Sequence, residues 1–377
     1  MKKSSWYLFP LSMALLSVSC TNASFSGRGR GATVEQPSNP PGDPSDTKPS
    51  SEDKPVTPPE GSSPIGGNPP VVTPPESNPS VPGGPTCQPG QVKIGTQLAF
   101  LIDNSNSNAS TDCPGATRTG TFGGIETFEC ASETSREKAV LAVFDLLKEF
   151  GAGSPMDSLS TSLVGVTSFP TVDDYVSGYR IQTAFVSAKG ENRSQIESAL
   201  RFSRKPFGLT PYLAAFTSAE DMMKNATNDK RSKVVILVTD GEPTDRSPKS
   251  VSDKADRLRA SGIKVVSVYY NGGMSRAARN ATHLSMMTRF EEAYLARPEG
   301  HWYDPSQFGS FNSYASYLLG DTDNPSLLMR VSTKENSSCQ DAPGSLCARK
   351  SYEVGNAEGL KKAFLDIVTT QAIGCGS

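Results

Sequence analysis

The residues best placed to do chemistry are Asp103, Ser105 and Ser107, spaced as D-x-S-x-S within LAFLIDNSNSN. In a loop that follows a strand, residues two apart can turn their oxygens toward one point. Asp103 supplies charge there, and Ser105 and Ser107 supply small neutral hydroxyls. A hard divalent cation such as Mg2+ takes oxygen ligands in near-octahedral geometry and keeps several waters. With few direct carboxylates it stays electrophilic and can accept an acidic group from outside. Serine-rich loops also commonly make nothing but turns, so this pattern by itself does not define a site.

The elements around it raise the stakes. Residues 98–102 are a short, largely apolar run, the reading of a strand buried on both faces. In an open α/β sheet, ligands gather at the carboxyl ends of the strands, where Asp103, Ser105 and Ser107 fall. A second such run, Val234 to Thr239 in KVVILVTDGEPTD, ends on Asp240-Gly241. Between the two, Gly208-Leu209-Thr210-Pro211 opens an amphipathic helical stretch, with Pro211 suited to a first helical turn.

D-x-S-x-S, then a Thr before a helix, then T-D-G after a strand, in this order and at these separations, resembles the von Willebrand factor A domain. The resemblance covers roughly residues 90–375. It implies that Asp103, Ser105, Ser107, Thr210 and Asp240 form a metal-ion-dependent adhesion site, with no member missing. The implied cofactor is Mg2+, with Mn2+ or Ca2+ open. The implied partner is a protein that contributes a Glu or Asp to the metal.

The remaining elements alternate. Helical stretches are expected from Ser132, as cap, to Phe150, at 193–204, from Thr210 to about Asn225, and at 251–260 before Gly262. Strands are expected at 161–169, 181–186, 233–239, 263–270 and 350–354, and Leu360, Phe364, Ile367 and Val368 mark one face of a last helix. The strand at 181–186 alternates in polarity, as an edge strand does. This order argues for an α/β fold, a doubly wound and mostly parallel sheet flanked by helices with right-handed crossovers. Against the family pattern, residues 271–349 form an insertion, with a helix near 275–296 and the aromatic residues Trp302, Tyr303, Phe308, Phe311, Tyr314 and Tyr317. It begins at the carboxyl face of the sheet. Either it walls the metal and selects the partner, or its aromatics cap the sheet and pack a small core. The Gly/Thr/Ser-rich stretch 106–132 flanks the metal residues as well. Asp321 and Asp323 fit a solvated turn better than a calcium site.

The chain opens with two lysines, an apolar core at 6–16 and small residues before Cys20, a secretion signal too short to span a membrane. Ser17-Val18-Ser19-Cys20 resembles a bacterial lipoprotein signal, whose cysteine becomes the acylated N-terminus. Ser17 stands where that family usually has Leu, which leaves a plain signal peptide open. The resemblance implies residues 1–19 as leader, Cys20 as the palmitoylated anchor and a cell-envelope location, with Thr21 pointing to the outer membrane. Residues 20–86 read as a disordered linker: 37–85 hold more than half of the chain's 29 prolines and almost no large apolar residue. At roughly 3 Å per residue such a linker reaches about 200 Å. The von Willebrand factor A domain would then occupy 87–377.

Without Cys20, six of the seven cysteines remain: Cys87, Cys113, Cys130, Cys339, Cys347 and Cys375. An even number in an exported domain, without paired C-x2-C spacing, points to disulfides rather than thiolate metal sites. Many pairings are open. Cys113–Cys130 would close the loop after the metal strand, Cys339–Cys347 a short turn, and Cys87–Cys375 the two ends of the domain.

Catalytic signals are thin. The two histidines, His283 and His301, stand in no H-E-x-x-H setting and near no G-x-S-x-G serine. A net charge of −2 gives no electrostatic reason to expect nucleic acid or an anionic membrane as partner, so membrane contact is left to the lipid. The reading is a surface or periplasmic lipoprotein that binds protein through its metal, not an enzyme. A structural component stabilised by the cation is the alternative, and a hydrolase using 271–349 a more distant one.

Overall fold

The computed structural model describes residues 92–376, apart from 123–124, 152–160, 172–173, 175, 227–229, 322–323, 342–345 and 373. The leader, Cys20, the proline-rich stretch, Cys87 and Asp323 lie outside the described residues, as does the side chain of Cys375. Chain order begins β1 (Val92–Ile94), β2 (Thr96–Asp103), α1 (Asn108–Thr111), β3 (Thr117–Phe122), β4 (Ile125–Glu129), α2 (Ser135–Gly151) and β5 (Leu163–Phe169). It continues β6 (Arg180–Ser187), α3 (Arg193–Leu200), α4 (Tyr212–Lys224), β7 (Ser232–Thr239), α5 (Pro248–Ala260) and β8 (Lys264–Tyr270). It ends α6 (Arg276–Leu295), α7 (Phe311–Leu319), α8 (Leu327–Val331), β9 (Ser351–Val354), α9 (Ala357–Ile367) and β10 (Gly374–Gly376).

Six strands form the central sheet in the order β6-β5-β2-β7-β8-β9. Every neighbouring pair is parallel except β5–β6, so the alternating strand is the antiparallel edge. From β2 the chain builds outward through β5 and β6, then crosses back to place β7 on the other side of β2. The carboxyl ends of β2 and β7 are therefore the topological switch point of the sheet, where a crevice opens between diverging connections.

Leu98 to Ile102 are fully buried because both faces of β2 are covered. Leu98, Phe100 and Ile102 pack toward α2, α3 and α9, with Phe100 against Phe364 at 5.5 Å between ring centres. Ala99 and Leu101 face α4, α5 and the segment between β8 and β9. The run thus carries apolar residues on both faces, the signature of a central parallel strand.

Three local findings refine the sequence reading. Helix α2 starts at Ser135 and not after Ser132, because Thr134 and Glu137 form a capping box: Thr134 Oγ1 accepts from the Glu137 amide at 3.2 Å and Glu137 Oε2 from the Thr134 amide at 3.1 Å. Residues 117–129 fold into a β3–β4 hairpin where the composition suggested a loop. Tyr314, Trp302, Tyr303 and Phe308, between β8 and β9, are buried in the same core as α4 and α5, so they pack against the sheet's helices. Burying side chains of this size contributes roughly 1.5–3 kcal/mol each.

Disulfides join Cys113 to Cys130 and Cys339 to Cys347. At the domain's ends, β1 pairs antiparallel with β10, with Lys93 opposite Cys375.

Candidate metal centre

Asp103 is the last residue of β2, and Asp240 follows the last residue of β7. Ile102 pairs with Val238 in parallel register, so the two strands end together and deliver both carboxylates to one place. Both aspartates are fully buried. Asp103 Oδ1 accepts from the Ser105 amide at 2.7 Å, and Oδ2 from Thr239 Oγ1 at 2.6 Å. Ser105 Oγ lies 2.9 Å from Ser107 Oγ, and Ser107 Oγ donates to Asp240 Oδ1 at 2.8 Å. Thr111 Oγ1 donates to Asp240 Oδ2. Ser105, Ser107 and Asp240 are thus linked oxygen to oxygen, and Asp103 joins them through the Ser105 amide.

Thr210 joins them across Gly241. A Cβ built on Gly241 would lie 3.1 Å from Thr210 Oγ1 and 3.3 Å from Ser107 Oγ. A Cβ there would press on both hydroxyls, which would have to give by a few tenths of an ångström.

Electrostatics shows what the cluster lacks. Burial, and after it the charge of Asp240, push Asp103 up to about 7 against hydrogen bonds from Thr239 and Ser105. Burial also raises Asp240, opposed by the charges of Arg279 and Arg136 and by the hydroxyls of Thr111 and Ser107. Neither carboxylate forms an ion pair with Lys or Arg among the described residues. Two buried carboxylates faced by neutral hydroxyls, with no direct counter-charge, suit a hard divalent cation. Among the described residues no three His, Cys, Asp or Glu side chains gather as a metal group, so a site here would depend on Ser and Thr oxygens.

Three positions escaped the sequence reading. Thr111 is four residues after Ser107, one helical turn on in α1, and that spacing was the available signal. Thr239 precedes Asp240 and holds Asp103. Arg136 is buried with Nε 2.6 Å from Asp112 Oδ2, and it donates through Nη1 to the carbonyl of Asp103. Asp112 also accepts from the Ser135 amide at 2.7 Å, so this pair ties the D-x-S-x-S loop to the start of α2. A lone arginine in a helix carries no sequence mark of such a role.

The histidines take structural places. His283 is buried on α6, where burial pulls it down to about 4 against a hydrogen bond with Pro243. His301 Nδ1 sits 2.6 Å from Glu291 Oε1.

Sheet order and the paired strand ends define a mostly parallel, doubly wound α/β domain with an oxygen cluster between the ends of β2 and β7. Residues 140–314 match the model of the von Willebrand factor type A domain, a span that includes Thr210 and Asp240 and begins after the D-x-S-x-S loop. No curated protein matches the sequence. Among solved structures it is similar to the pilus adhesin SpaC of Lactobacillus rhamnosus GG in its open conformation: 11% identity, TM-score 0.42, covering 74% of this chain and 30% of that one. It is similar to proximal thread matrix protein 1 from the mussel byssus at 14% identity and TM-score 0.39, covering 76% and 49%. It is also similar to the vWF domain of the type V pilus tip protein Mfa5 of Porphyromonas gingivalis at 11% identity and TM-score 0.39, covering 74% and 95%. The chain spans between about a third and a half of the length of the first two.

Proposed function

We propose that this chain is a cell-envelope lipoprotein, anchored at Cys20 and extended on its proline-rich segment, whose domain at 87–377 binds a protein partner through a divalent cation. The ligands would be Asp103, Ser105, Ser107, Thr210 and Asp240, with Mg2+ as the expected ion and Mn2+ or Ca2+ as alternatives. When bound, the ion supplies an electrophilic centre to which a carboxylate of another protein can attach. The observation that carries the reading is the run of hydroxyls from Ser105 through Ser107 to Asp240 beside a second buried carboxylate without a counter-charge. Ser107 and Thr111 orient Asp240, and Thr239 and the Ser105 amide orient Asp103. Lipid attachment is the membrane contact in this reading, and no helix among the described residues is long and apolar enough to cross a membrane.

The test is calorimetric titration of Mg2+ and Mn2+ into the metal-stripped chain beside Asp240→Ala, followed by capture of acid-bearing protein partners with and without EDTA. Binding of cation and partner by wild type, lost in the variant and in EDTA, is the expected result. Full partner capture in EDTA would sink it. A second reading, an envelope component that the cation mainly stabilises, draws on the raised Asp103. It expects removal of the cation to lower the unfolding temperature while partner capture persists.

A further inference from the structure

Helix α4 begins without a cap of its own. Its N-cap residue is Pro211, which has no side-chain acceptor, yet the first N–H groups of a helix need partners. They find Asp245, 33 residues on in the loop after β7: Oδ2 accepts from the Tyr212 amide at 2.8 Å and Oδ1 from the Leu213 amide at 2.9 Å. Next to it, Thr244 holds the main chain of Thr210 in both directions. Thr210 N donates to Thr244 Oγ1 at 3.0 Å, and Thr244 N donates to the Thr210 carbonyl at 3.0 Å. With both backbone groups fixed, the place of the Thr210 hydroxyl is set by where residues 244 and 245 sit.

The insertion sets where those residues sit. Tyr314 of α7 donates its hydroxyl to the Asp245 carbonyl at 2.9 Å, a buried bond. Arg246 donates Nε to the Trp302 carbonyl at 2.6 Å and Nη2 to the His301 carbonyl at 2.9 Å, with its guanidinium 5.0 Å from the Tyr294 ring centre. Asp304 N returns a bond to the Arg246 carbonyl at 3.1 Å. Behind them, Glu291 of α6 fixes the other side of Trp302, accepting its amide at 2.8 Å. An insertion serving only its own core has no need to reach the main-chain carbonyls of 245 and 246.

We propose that the insertion between β8 and β9 positions Thr210 for the metal site through Asp245, with Tyr314 as the residue that fixes Asp245. The statement about the metal rests on the reading given above; the hold on Thr210 does not. It follows that the metal site and the α6–α7 surface are energetically linked, so a change bound at one is felt at the other.

Tyr314→Phe in the full chain removes one hydroxyl and leaves the ring. Tyr317→Phe is the control: the same change on the same helix, at a hydroxyl that pairs with Ser252 Oγ at 2.8 Å and not with the loop. Hydrogen exchange of the Thr210, Tyr212 and Leu213 amides, followed by mass spectrometry in EDTA, should quicken about five- to tenfold in Tyr314→Phe, as expected for one lost buried hydrogen bond. It should stay unchanged in Tyr317→Phe. Asp245→Asn, which gives up one of the two acceptors, should quicken it at least as much. Mn2+ affinity by calorimetry should fall several-fold in Tyr314→Phe and not in the control. Equal exchange at 210–213 in the two Tyr variants would overturn the hold on Thr210, and faster exchange with Mn2+ affinity intact would overturn its link to the metal. If wild type takes up no Mn2+, the metal-site reading falls and the exchange comparison alone decides the positioning.

Discussion

Replacing Asp103 with Asn in the metal-free protein should make it more stable at alkaline pH. The reason is linkage. In the unfolded chain this carboxyl titrates near 3.8, and in the fold it is pushed up to about 7. A raised folded value means the protonated form fits the fold. Its contribution to stability is therefore complete below 3.8 and is lost as pH rises through about 7. The distance between those values, at about 1.36 kcal/mol per tenfold change, corresponds to about 4 kcal/mol, shared in part with Asp240 through their mutual repulsion. Asn keeps the acceptor for the Ser105 amide and offers N–H to Thr239 Oγ1, whose proton still has the Gly241 carbonyl at 2.9 Å. Glu242 and Asp245 are also held near 7 by burial and titrate in the same direction, but they are common to both proteins and cancel in the difference. Urea unfolding in EDTA between about pH 5 and pH 8 should show Asp103→Asn gaining roughly 1–4 kcal/mol on wild type across that range. Saturating Mg2+ should restore wild type at the upper end and leave the variant unmoved. Parallel stability curves for the two proteins in EDTA would refute the argument, because they would mean that Asp103 is not held above its ordinary range.

Arg136→Met should cost roughly 3–5 kcal/mol in urea unfolding, since it leaves the buried Asp112 without its cation and takes one donor from the Asp103 carbonyl; a cost under about 1 kcal/mol would show the pair to be dispensable. Replacing both Cys113 and Cys130 with Ser should cost about 3 kcal/mol, the value for opening a loop of 17 residues, and reductant should then have a smaller effect on the unfolding temperature than in wild type.

The parts of this domain that a sequence exposes are those where residue type and spacing carry the physics. Leu98 to Ile102 and Val234 to Val238 are apolar at successive positions because β2 and β7 are covered on both faces, and that pattern has few other meanings. The alternation of 180–187 marks an edge for the converse reason. D-x-S-x-S is legible because consecutive loop residues supply it. What stayed hidden is set by partners far along the chain. Asp245 looks like a loop residue until it is found under α4, and Arg136 looks like a surface charge until it is found under Asp103. The hairpin at 117–129 is rich in Thr and Gly, a composition that turns and strands share. The aromatics of the insertion were visible, but only the fold decides that Tyr303, Phe308 and Tyr314 lie beneath the sheet's helices.

The same contrast explains how the domain can fold with two carboxylates in its interior. Adjacent parallel strands are held about 4.8 Å apart by their hydrogen bonds, so strands that end together bring their terminal residues close regardless of charge. The fold softens that repulsion with neutral donors, a hydroxyl from each of Thr239, Ser107 and Thr111 and the Ser105 amide. Full cations are kept one step away: Arg136 bonds to the Asp103 carbonyl and not its carboxylate, and Arg279 bonds to the Tyr270 carbonyl. A lysine or arginine paired directly with either aspartate would neutralise its charge, which the hydroxyls do not. Hydroxyls stabilise the carboxylates enough for β2 and β7 to end side by side without an ion pair to either among the described residues, as the proposed binding of a divalent cation requires.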